Sequence, residues 1–119
     1  MRILFVDDEP HVLEALRRQS RVGGVEARFA SGGEQALALL AGEAFDAVVS
    51  DMRMPGMDGA ELLERIRALR PGMVRVALSG DAASTLRQRG EAVAHAWLSK
   101  PCSFQQIRDT LANLRPDAG

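Results

Sequence analysis

Five short apolar segments alternate with five stretches of helical periodicity along the chain, and this alternation constrains the fold more than any other feature. When helices separate the strands, each crossover returns the chain to the same end of the sheet, so neighbouring strands run parallel. We therefore predict an α/β fold in which helices cover both faces of one five-stranded parallel sheet. The predicted strands are residues 3–6, 25–30, 45–50, 73–78 and 96–98.

Capping and breaking residues indicate where the helices begin and end. Pro10 suits the first position of the first helix, which is expected to end near Gly23 and Gly24. Ser31 and Glu34 have the spacing of a capping box at the start of the second helix. The other expected boundaries are Gly42 for the end of the second helix, Asp58 and Pro71 for the third, Ala82 and about Gly90 for the fourth, and Ser103 and Pro116 for the fifth.

The expected order of the strands is 2-1-3-4-5, which is the order of the flavodoxin-like (βα)5 fold. Right-handed crossovers are the default for each strand–helix–strand unit. In open sheets of this kind, ligands bind outside the carboxyl ends of the strands, close to the switch between strands one and three. The chemistry of this chain is therefore expected in the residues that directly follow strands one, three, four and five.

The length of 119 residues allows one buried core and leaves no room for a second domain of ordinary size. We expect a single domain over residues 1–119, with a core of about residues 2–114 and a tail or the start of a linker at residues 115–119. Sixteen acidic residues against fifteen basic ones give a formal net charge of -1. A dedicated nucleic-acid-binding domain would carry a basic stripe or patch, so we expect no direct contact with nucleic acid.

The cysteine content and the hydropathy pattern indicate the compartment. Cys102 is the only cysteine, which excludes an internal disulfide and fits a reducing environment. No apolar run is long enough for a signal peptide or a membrane span. We therefore expect a cytoplasmic protein without a membrane partner.

Polar side chains follow four of the predicted strands. Three carboxylates among them would lie at one rim of the sheet, and they cannot all stay ionised at close range without a counter-charge. Oxygen ligands with room for water suit Mg²⁺ better than Zn²⁺, for which cysteine and histidine would be expected. The sequence therefore predicts a Mg²⁺ site there, with a lysine as a further positive charge. The residues are Asp7, Asp8 and Glu9 after strand one, Asp51 after strand three, Ser79 and Gly80 after strand four, and Lys100 and Pro101 after strand five.

Four segments resemble the signature blocks of response regulator receiver domains, whose fold is that of the chemotaxis regulators. They read FVDDE at residues 5–9, VVSDMRMPGMDG at 48–59, LSG at 78–80 and LSKP at 98–101. Each block alone is commonplace, but the four occur together, in the family's order and at the right strand ends. The resemblance extends from Arg2 to about Leu114.

The resemblance implies a phosphoryl-transfer site centred on Asp51, which would attack the phosphorus of a phosphohistidine on a partner histidine kinase or phosphotransfer protein. Asp8 and Asp51 would bind Mg²⁺ together with the backbone carbonyl of Arg53, and Asp7 would act through a metal-bound water. The metal and the ammonium of Lys100 would offset charge on the phosphoryl oxygens during in-line transfer.

Further positions carry family roles in modification and output. The hydroxyl of Ser79 and the backbone N–H of Gly80 would bond the phosphoryl group, and Pro101 matches a position that usually follows a cis peptide bond. Trp97 stands where receivers more often carry a Tyr or Phe that moves on activation, and the bulk of the indole puts that movement in doubt. Arg53 and Asp81 occupy positions that tune the access of hydrolytic water. An output domain or partner protein would bind the face formed by helix 4, strand 5 and helix 5.

Three alternatives compete with a phosphorylation switch. Asp7 and Asp8 could merely cap the helix that begins at Pro10, although capping requires one carboxylate and not two. The chain could be a Mg²⁺-dependent phosphohydrolase, but such phosphatases place two aspartates two residues apart, whereas Asp7 and Asp8 are adjacent and Arg53 lies two residues after Asp51. It could also be a degenerate receiver that serves only as a scaffold, which a complete set of site residues disfavours. We expect no turnover of small molecules.

Overall fold

The computed structural model describes residues 1–80 and 85–114. In these two ranges, five β-strands alternate with five α-helices, as the periodicity predicts. The strands are β1 (Arg2–Val6), β2 (Glu26–Ala30), β3 (Ala47–Asp51), β4 (Val74–Ser79) and β5 (Ala96–Ser99). The helices are α1 (Pro10–Val22), α2 (Gly33–Gly42), α3 (Gly59–Leu69), α4 (Thr85–Val93) and α5 (Phe104–Leu114).

The strands form one sheet in the order β2-β1-β3-β4-β5, and every neighbouring pair is parallel. This confirms the predicted fold and strand order. The register aligns Val6 of β1 with Ser50 of β3, and Asp51 with Leu78 of β4. The carboxyl ends of β1, β3, β4 and β5 therefore meet at one rim of the sheet, as the sequence predicts; Asp51 and Ser79, predicted to follow their strands, are the last residues of β3 and β4.

Two apolar layers form the core, one on each face of the sheet. Successive side chains of a strand point to opposite faces, so Leu4 and Val6 lie in one layer and Ile3 and Phe5 in the other. The first layer is completed by α2, α3 and α4, and the second by α1 and α5. The buried apolar residues of the helices are Ala36, Leu40, Ala60, Leu62, Leu63, Ile66 and Val93 in the first layer, and Leu16, Ile107 and Leu111 in the second.

Several predicted helix boundaries are confirmed. Helix α1 begins at Pro10 and ends at Val22, and the N-cap of α3 is Asp58, whose carboxylate accepts a hydrogen bond of 2.8 Å from the backbone N–H of Glu61. Before α5, the backbone N–H of Ser103 donates to Gln106 Oε1, and the backbone N–H of Gln106 donates to Ser103 Oγ. These two bonds are the reciprocal pair of a capping box.

Two boundary predictions are wrong. The N-cap of α2 is Gly32, without a side-chain cap, and Ser31 bonds Gln35 with both its hydroxyl and its backbone N–H instead of forming a box with Glu34. Helix α4 continues past Gly90 to Val93, because Gly90 is a point of close packing inside the helix and not its end. The predicted positions Asp81, Ala82 and Pro116 lie outside the described residues.

None of the helices in residues 1–80 and 85–114 combines the length and the apolar character needed to cross a membrane.

Candidate functional site

Asp51 ends the buried strand β3 and is itself only 7% exposed. The backbone N–H of the next residue, Met52, donates to the carbonyl of Leu78 in β4, and the N–H of Gly59 donates to the carbonyl of Met52. A side chain at Gly59 would overlap the backbone oxygen of Asp51, so a glycine is required where α3 begins. The loop between β3 and α3 is therefore closed tightly around the backbone of Asp51.

Asp7 is 1% exposed, and both of its carboxylate oxygens are bonded. Oδ1 accepts a hydrogen bond of 2.9 Å from the backbone N–H of Glu9, and Oδ2 accepts one of 2.9 Å from Lys100 Nζ. The N-cap of α1 is Glu9, which has no side-chain cap. Asp8, the adjacent carboxylate, has no hydrogen-bond or ion-pair partner among the described residues. Helix capping therefore does not account for the pair of aspartates.

Lys100 joins the two buried carboxylates. Its Nζ atom lies 2.9 Å from Asp7 Oδ2 and 3.5 Å from Asp51 Oδ1. It is the only lysine of the sequence, and the other fourteen basic residues are arginines. Its backbone N–H donates to the carbonyl of Ser79, and its peptide bond to Pro101 is cis. A compact ammonium therefore occupies the place that the sequence predicts for the positive charge.

Asp7, Asp8 and Asp51 each offer a carboxylate oxygen, and these oxygens lie within 4.8 Å of one another. Three negative charges share the site with one lysine ammonium, which leaves an excess of negative charge. All three potential metal ligands are carboxylate oxygens, and the carboxylate of Asp8 has no partner among the described residues. This donor set fits a hard divalent cation such as Mg²⁺.

Electrostatics within the site shift the ionisation of two groups. Burial raises the pKa of Asp51, and the negative charge of Asp7 adds to this, while Lys100 lowers it; the net shift is upward. Burial alone would lower the pKa of Lys100, but its hydrogen bond to Asp7 and the charge of Asp51 outweigh that effect and raise the pKa. Lys100 therefore stays cationic, and Asp51 carries its charge at a cost that a cation would reduce.

The remaining predicted residues lie around this cluster. Ser79 is buried at the end of β4, opposite Ser99 of β5, and Gly80 follows it as an exposed residue. Arg53 is exposed in the loop between β3 and α3, two residues after Asp51. The rim thus holds every strand-end residue that the sequence selects.

A family model described as response regulator receiver domain matches residues 3–112. The chain belongs to this family. Receiver domains are the phosphoacceptors of two-component systems. Among curated proteins, the receiver domain is 35% identical over 119 residues to the sensory/regulatory protein RpfC of Xanthomonas campestris pv. campestris, covering 96% of this chain. It is 39% identical over 112 residues to a response regulator receiver protein of Anaeromyxobacter sp., covering 91% of this chain.

A third relative is the sensor histidine kinase RcsC of Salmonella typhi, 37% identical over 113 residues and 94% of this chain. The receiver domain spans only part of these proteins: 16% of RpfC, 46% of the Anaeromyxobacter protein and 12% of RcsC.

Solved structures share the fold. The chemotaxis protein CheY4 of Vibrio cholerae aligns with a TM-score of 0.86 at 29% identity, covering 94% of this chain and 96% of that one. The response regulator protein TrrA of Thermotoga maritima, in complex with Mg²⁺ and BeF, aligns with a TM-score of 0.82 at 30% identity, again covering 94% and 96%.

Trp97 of the receiver domain lies in β5 and packs against α4. It is partly buried and belongs to the edge of the apolar layer that contains Met52. The guanidinium of Arg87 lies 5.2 Å from the centroid of its ring. Trp97, three residues before Lys100, is therefore already packed beneath α4.

Arg75 is a buried residue that the sequence analysis missed. It lies in β4 at 7% exposure, and its guanidinium donates to the carbonyls of Val93, at 2.6 Å, and Met73, at 3.0 Å. Its backbone N–H donates to His95 Nδ1. Burial, together with the charge of Arg67, lowers the pKa of Arg75. The signal in the sequence was an arginine inside an otherwise apolar strand. Its hydrogen bond to the carbonyl of Val93 shows that Arg75 holds the end of α4 against β4.

Proposed function

We propose that Asp51 is the residue of this receiver domain that accepts the phosphoryl group, and that the donor is a phosphohistidine on a sensor histidine kinase or a phosphotransfer protein. One observation carries the proposal. The Asp51 carboxylate stands within a cluster of three carboxylates, and the Nζ atom of the only lysine lies 3.5 Å from it. No other carboxylate that ends a buried strand has this combination of neighbours among the described residues.

In the proposed reaction, a carboxylate oxygen of Asp51 attacks the phosphorus in line with the scissile bond. The phosphorus–nitrogen bond breaks, its electron pair remains on the imidazole, and an aspartyl phosphate forms. Lys100 balances negative charge on the phosphoryl oxygens, and Asp7 holds the ammonium in place through its hydrogen bond of 2.9 Å. Ser79 and the N–H of Gly80, at the end of β4, bond the transferred group.

Asp8, Asp51 and the backbone carbonyl of Arg53 would hold Mg²⁺, and Asp7 would contact it through water. The bound ion would supply Lewis-acid stabilisation of the developing charge on the phosphoryl oxygens. The unpartnered carboxylate of Asp8 and the excess of negative charge in the cluster support this assignment. The Mg²⁺ complex of TrrA supports it by analogy.

The partners are proposed from the relatives and from the fold. RcsC is a sensor histidine kinase in which a similar segment occurs, which supports a histidine kinase as the donor. We place the output partner on the face formed by α4, β5 and α5, and the whole domain in the cytoplasm, where a lone cysteine stays reduced. The proposed role is a switch of protein–protein interactions without turnover of small molecules.

Incubation with acetyl phosphate and Mg²⁺, followed by intact-protein mass spectrometry, tests the acceptor. We expect a mass gain of one phosphoryl group on the wild type and none on Asp51→Asn. Asp109→Asn is a matched control, because Asp109 is an exposed carboxylate on α5. No adduct on the wild type, or an undiminished adduct on Asp51→Asn, contradicts the proposal. Rapid release of phosphate from many small phosphate esters would favour the phosphohydrolase instead.

A further inference from the structure

The indole of Trp97 and the backbone of α4 approach each other unusually closely at Gly90. Gly90 is buried in the middle of α4, and a Cβ atom built on it would lie 2.6 Å from Trp97 Cζ3 and 3.1 Å from Met52 Sδ. Real Cβ atoms do not approach another atom to 2.6 Å, so any side chain at position 90 would force the ring or the helix to move. We call this approach the Trp97–Gly90 contact.

A glycine in the interior of a helix is unfavourable, because it gains no side-chain packing and loses more backbone entropy than other residues. Its φ angle is not in the left-handed region, so the backbone conformation of α4 does not require it. The requirement comes from Trp97 across the interface. Gly90 and Trp97 therefore form a matched pair, one residue supplying the bulk and the other the space.

Neither direction of movement is favourable for the indole. Movement farther under α4 is blocked by the backbone of Gly90, which the ring already touches. Movement out to solvent would leave a void lined by Met52 and Gly90, and voids in close-packed interiors are destabilising. It would also separate the ring from the guanidinium of Arg87, 5.2 Å from its centroid.

The indole N–H fits the same picture. Trp97 Nε1 is buried and has no hydrogen-bond partner among the described residues. Buried indole N–H groups usually find a partner, and leaving one unpaired is costly. The position of the ring is therefore set by its apolar packing against α4 and Met52 and not by a hydrogen bond.

We propose that the Trp97–Gly90 contact is permanent, so that the indole stays packed beneath α4 both before and after Asp51 is phosphorylated. Trp97 then holds α4 on the sheet and does not act as a side-chain switch. Any change that starts at Asp51 reaches α4 through Met52, the next residue along the chain, and moves the helix together with the ring. The part of this proposal that concerns the phosphorylated state rests on the proposed function.

Unfolding experiments test the contact without phosphorylation. We expect Gly90→Ala to lower the urea midpoint, monitored by circular dichroism, although alanine is the better helix former. In a Trp97→Phe background, which lacks the ring that carries Cζ3, Gly90→Ala should lower the midpoint much less or raise it. Gly42→Ala, at a helical glycine with open space around it, is the matched control and should not lower the midpoint. If Gly90→Ala lowers the urea midpoint equally in the wild-type and Trp97→Phe backgrounds, the proposed Trp97–Gly90 contact is wrong.

Tryptophan fluorescence tests whether the Trp97–Gly90 contact persists after phosphorylation. Trp97 is the only tryptophan and the chain has no tyrosine, so the emission reports on this ring alone. Acetyl phosphate and Mg²⁺ are added, and mass spectrometry on the same sample measures the fraction phosphorylated. We expect the emission maximum and the acrylamide quenching constant to be the same in both states, and Gly90→Ala to increase quenching. A quenching constant that changes with the phosphorylated fraction overturns the proposal. An absent adduct instead contradicts the proposed function, and the unfolding midpoints still decide the contact.

Discussion

Lys100 donates a hydrogen bond of 2.9 Å to Asp7, although 93 positions separate the two residues in the chain. Strands β3 and β4 lie between β1 and β5 in the sheet, so this bond spans the rim on which Asp51 stands. The same ammonium lies 3.5 Å from Asp51. One contact thus joins the carboxyl ends of β1 and β5 and fixes the positive charge beside the proposed acceptor.

Replacing the ammonium by a guanidinium tests whether Lys100 acts as a compact charge. We expect Lys100→Arg to slow phosphorylation by acetyl phosphate by about 10²-fold, since a planar, bulkier group cannot occupy the same place between two buried carboxylates. The measurement is the rate of mass gain at saturating Mg²⁺. Arg108→Lys, on the exposed surface of α5, is the control and should leave the rate unchanged. A rate for Lys100→Arg equal to that of the wild type would exclude this role.

Neutralising the proposed acceptor should stabilise the metal-free protein. Burial, aided by the charge of Asp7, raises the pKa of Asp51 despite the opposing effect of Lys100. The folded state therefore binds a proton at Asp51 more readily than the unfolded chain, so this group favours folding more as the pH falls toward its raised pKa. At neutral pH with EDTA, Asp51→Asn should unfold at a higher temperature than the wild type, as followed by circular dichroism. A lower temperature would show that the attraction to Lys100 dominates.

Magnesium should stabilise the wild type through Asp8. A ligand that binds only the folded state raises the thermal midpoint progressively with its concentration. Asp8→Asn should lose most of this response, and little stability should be lost without metal, since Asp8 has no partner among the described residues. Thermal unfolding across a Mg²⁺ titration gives both results. An undiminished Mg²⁺ response in Asp8→Asn would remove this residue from the metal site.

His95 should make folding stability depend on pH. His95 is exposed overall, but partial desolvation of its imidazole and the nearby charge of Arg75 lower its pKa below the ordinary 6.5, and its Nδ1 atom accepts a hydrogen bond from the Arg75 backbone N–H. As the pH falls through 6.5, the unfolded chain takes up a proton before the folded protein does, so this contribution to stability is lost. The urea midpoint should therefore fall between about pH 7.5 and about pH 6, and fall less in His95→Asn.

The matched control for that comparison is the other histidine. His11 is exposed on α1, and its Nε2 atom lies 3.2 Å from a carboxylate oxygen of Glu9. His11→Gln should retain the fall in the midpoint that His95→Asn reduces. The same dependence of the urea midpoint on pH in both variants would contradict this role of His95.

The sequence predicts the sheet and its rim because both depend on local pattern and general topology. Alternating strands and helices imply parallel strands, and parallel strands bring Asp7, Asp51, Ser79 and Lys100 to one edge whatever the details of packing. The capping residues of α3 and α5 act within three positions of themselves, so their spacing predicts their pairing; the same spacing fails at α2, where Ser31 bonds Gln35 and not Glu34.

The features that the sequence does not predict depend on contacts between elements that are distant in the chain. Gly90 looks like a helix end until Trp97 is seen against it, seven positions away in another element. Arg75 looks like an interruption in an apolar strand until its guanidinium is seen bonding the carbonyl of Val93 at the end of α4. Spacing cannot reveal either relationship, because neither partner is specified by a local pattern.

Asp51, and no other residue, is expected to carry the phosphoryl group as an aspartyl phosphate. Borohydride reduces an aspartyl phosphate to homoserine, which marks the modified position permanently. After treatment with acetyl phosphate and Mg²⁺, reduction and proteolysis, peptide mass spectrometry should find homoserine at position 51, with Asp7 and Asp8 unchanged. Homoserine at position 7 or 8, or phosphate on a histidine with position 51 unmodified, would contradict the assignment of Asp51 as the acceptor.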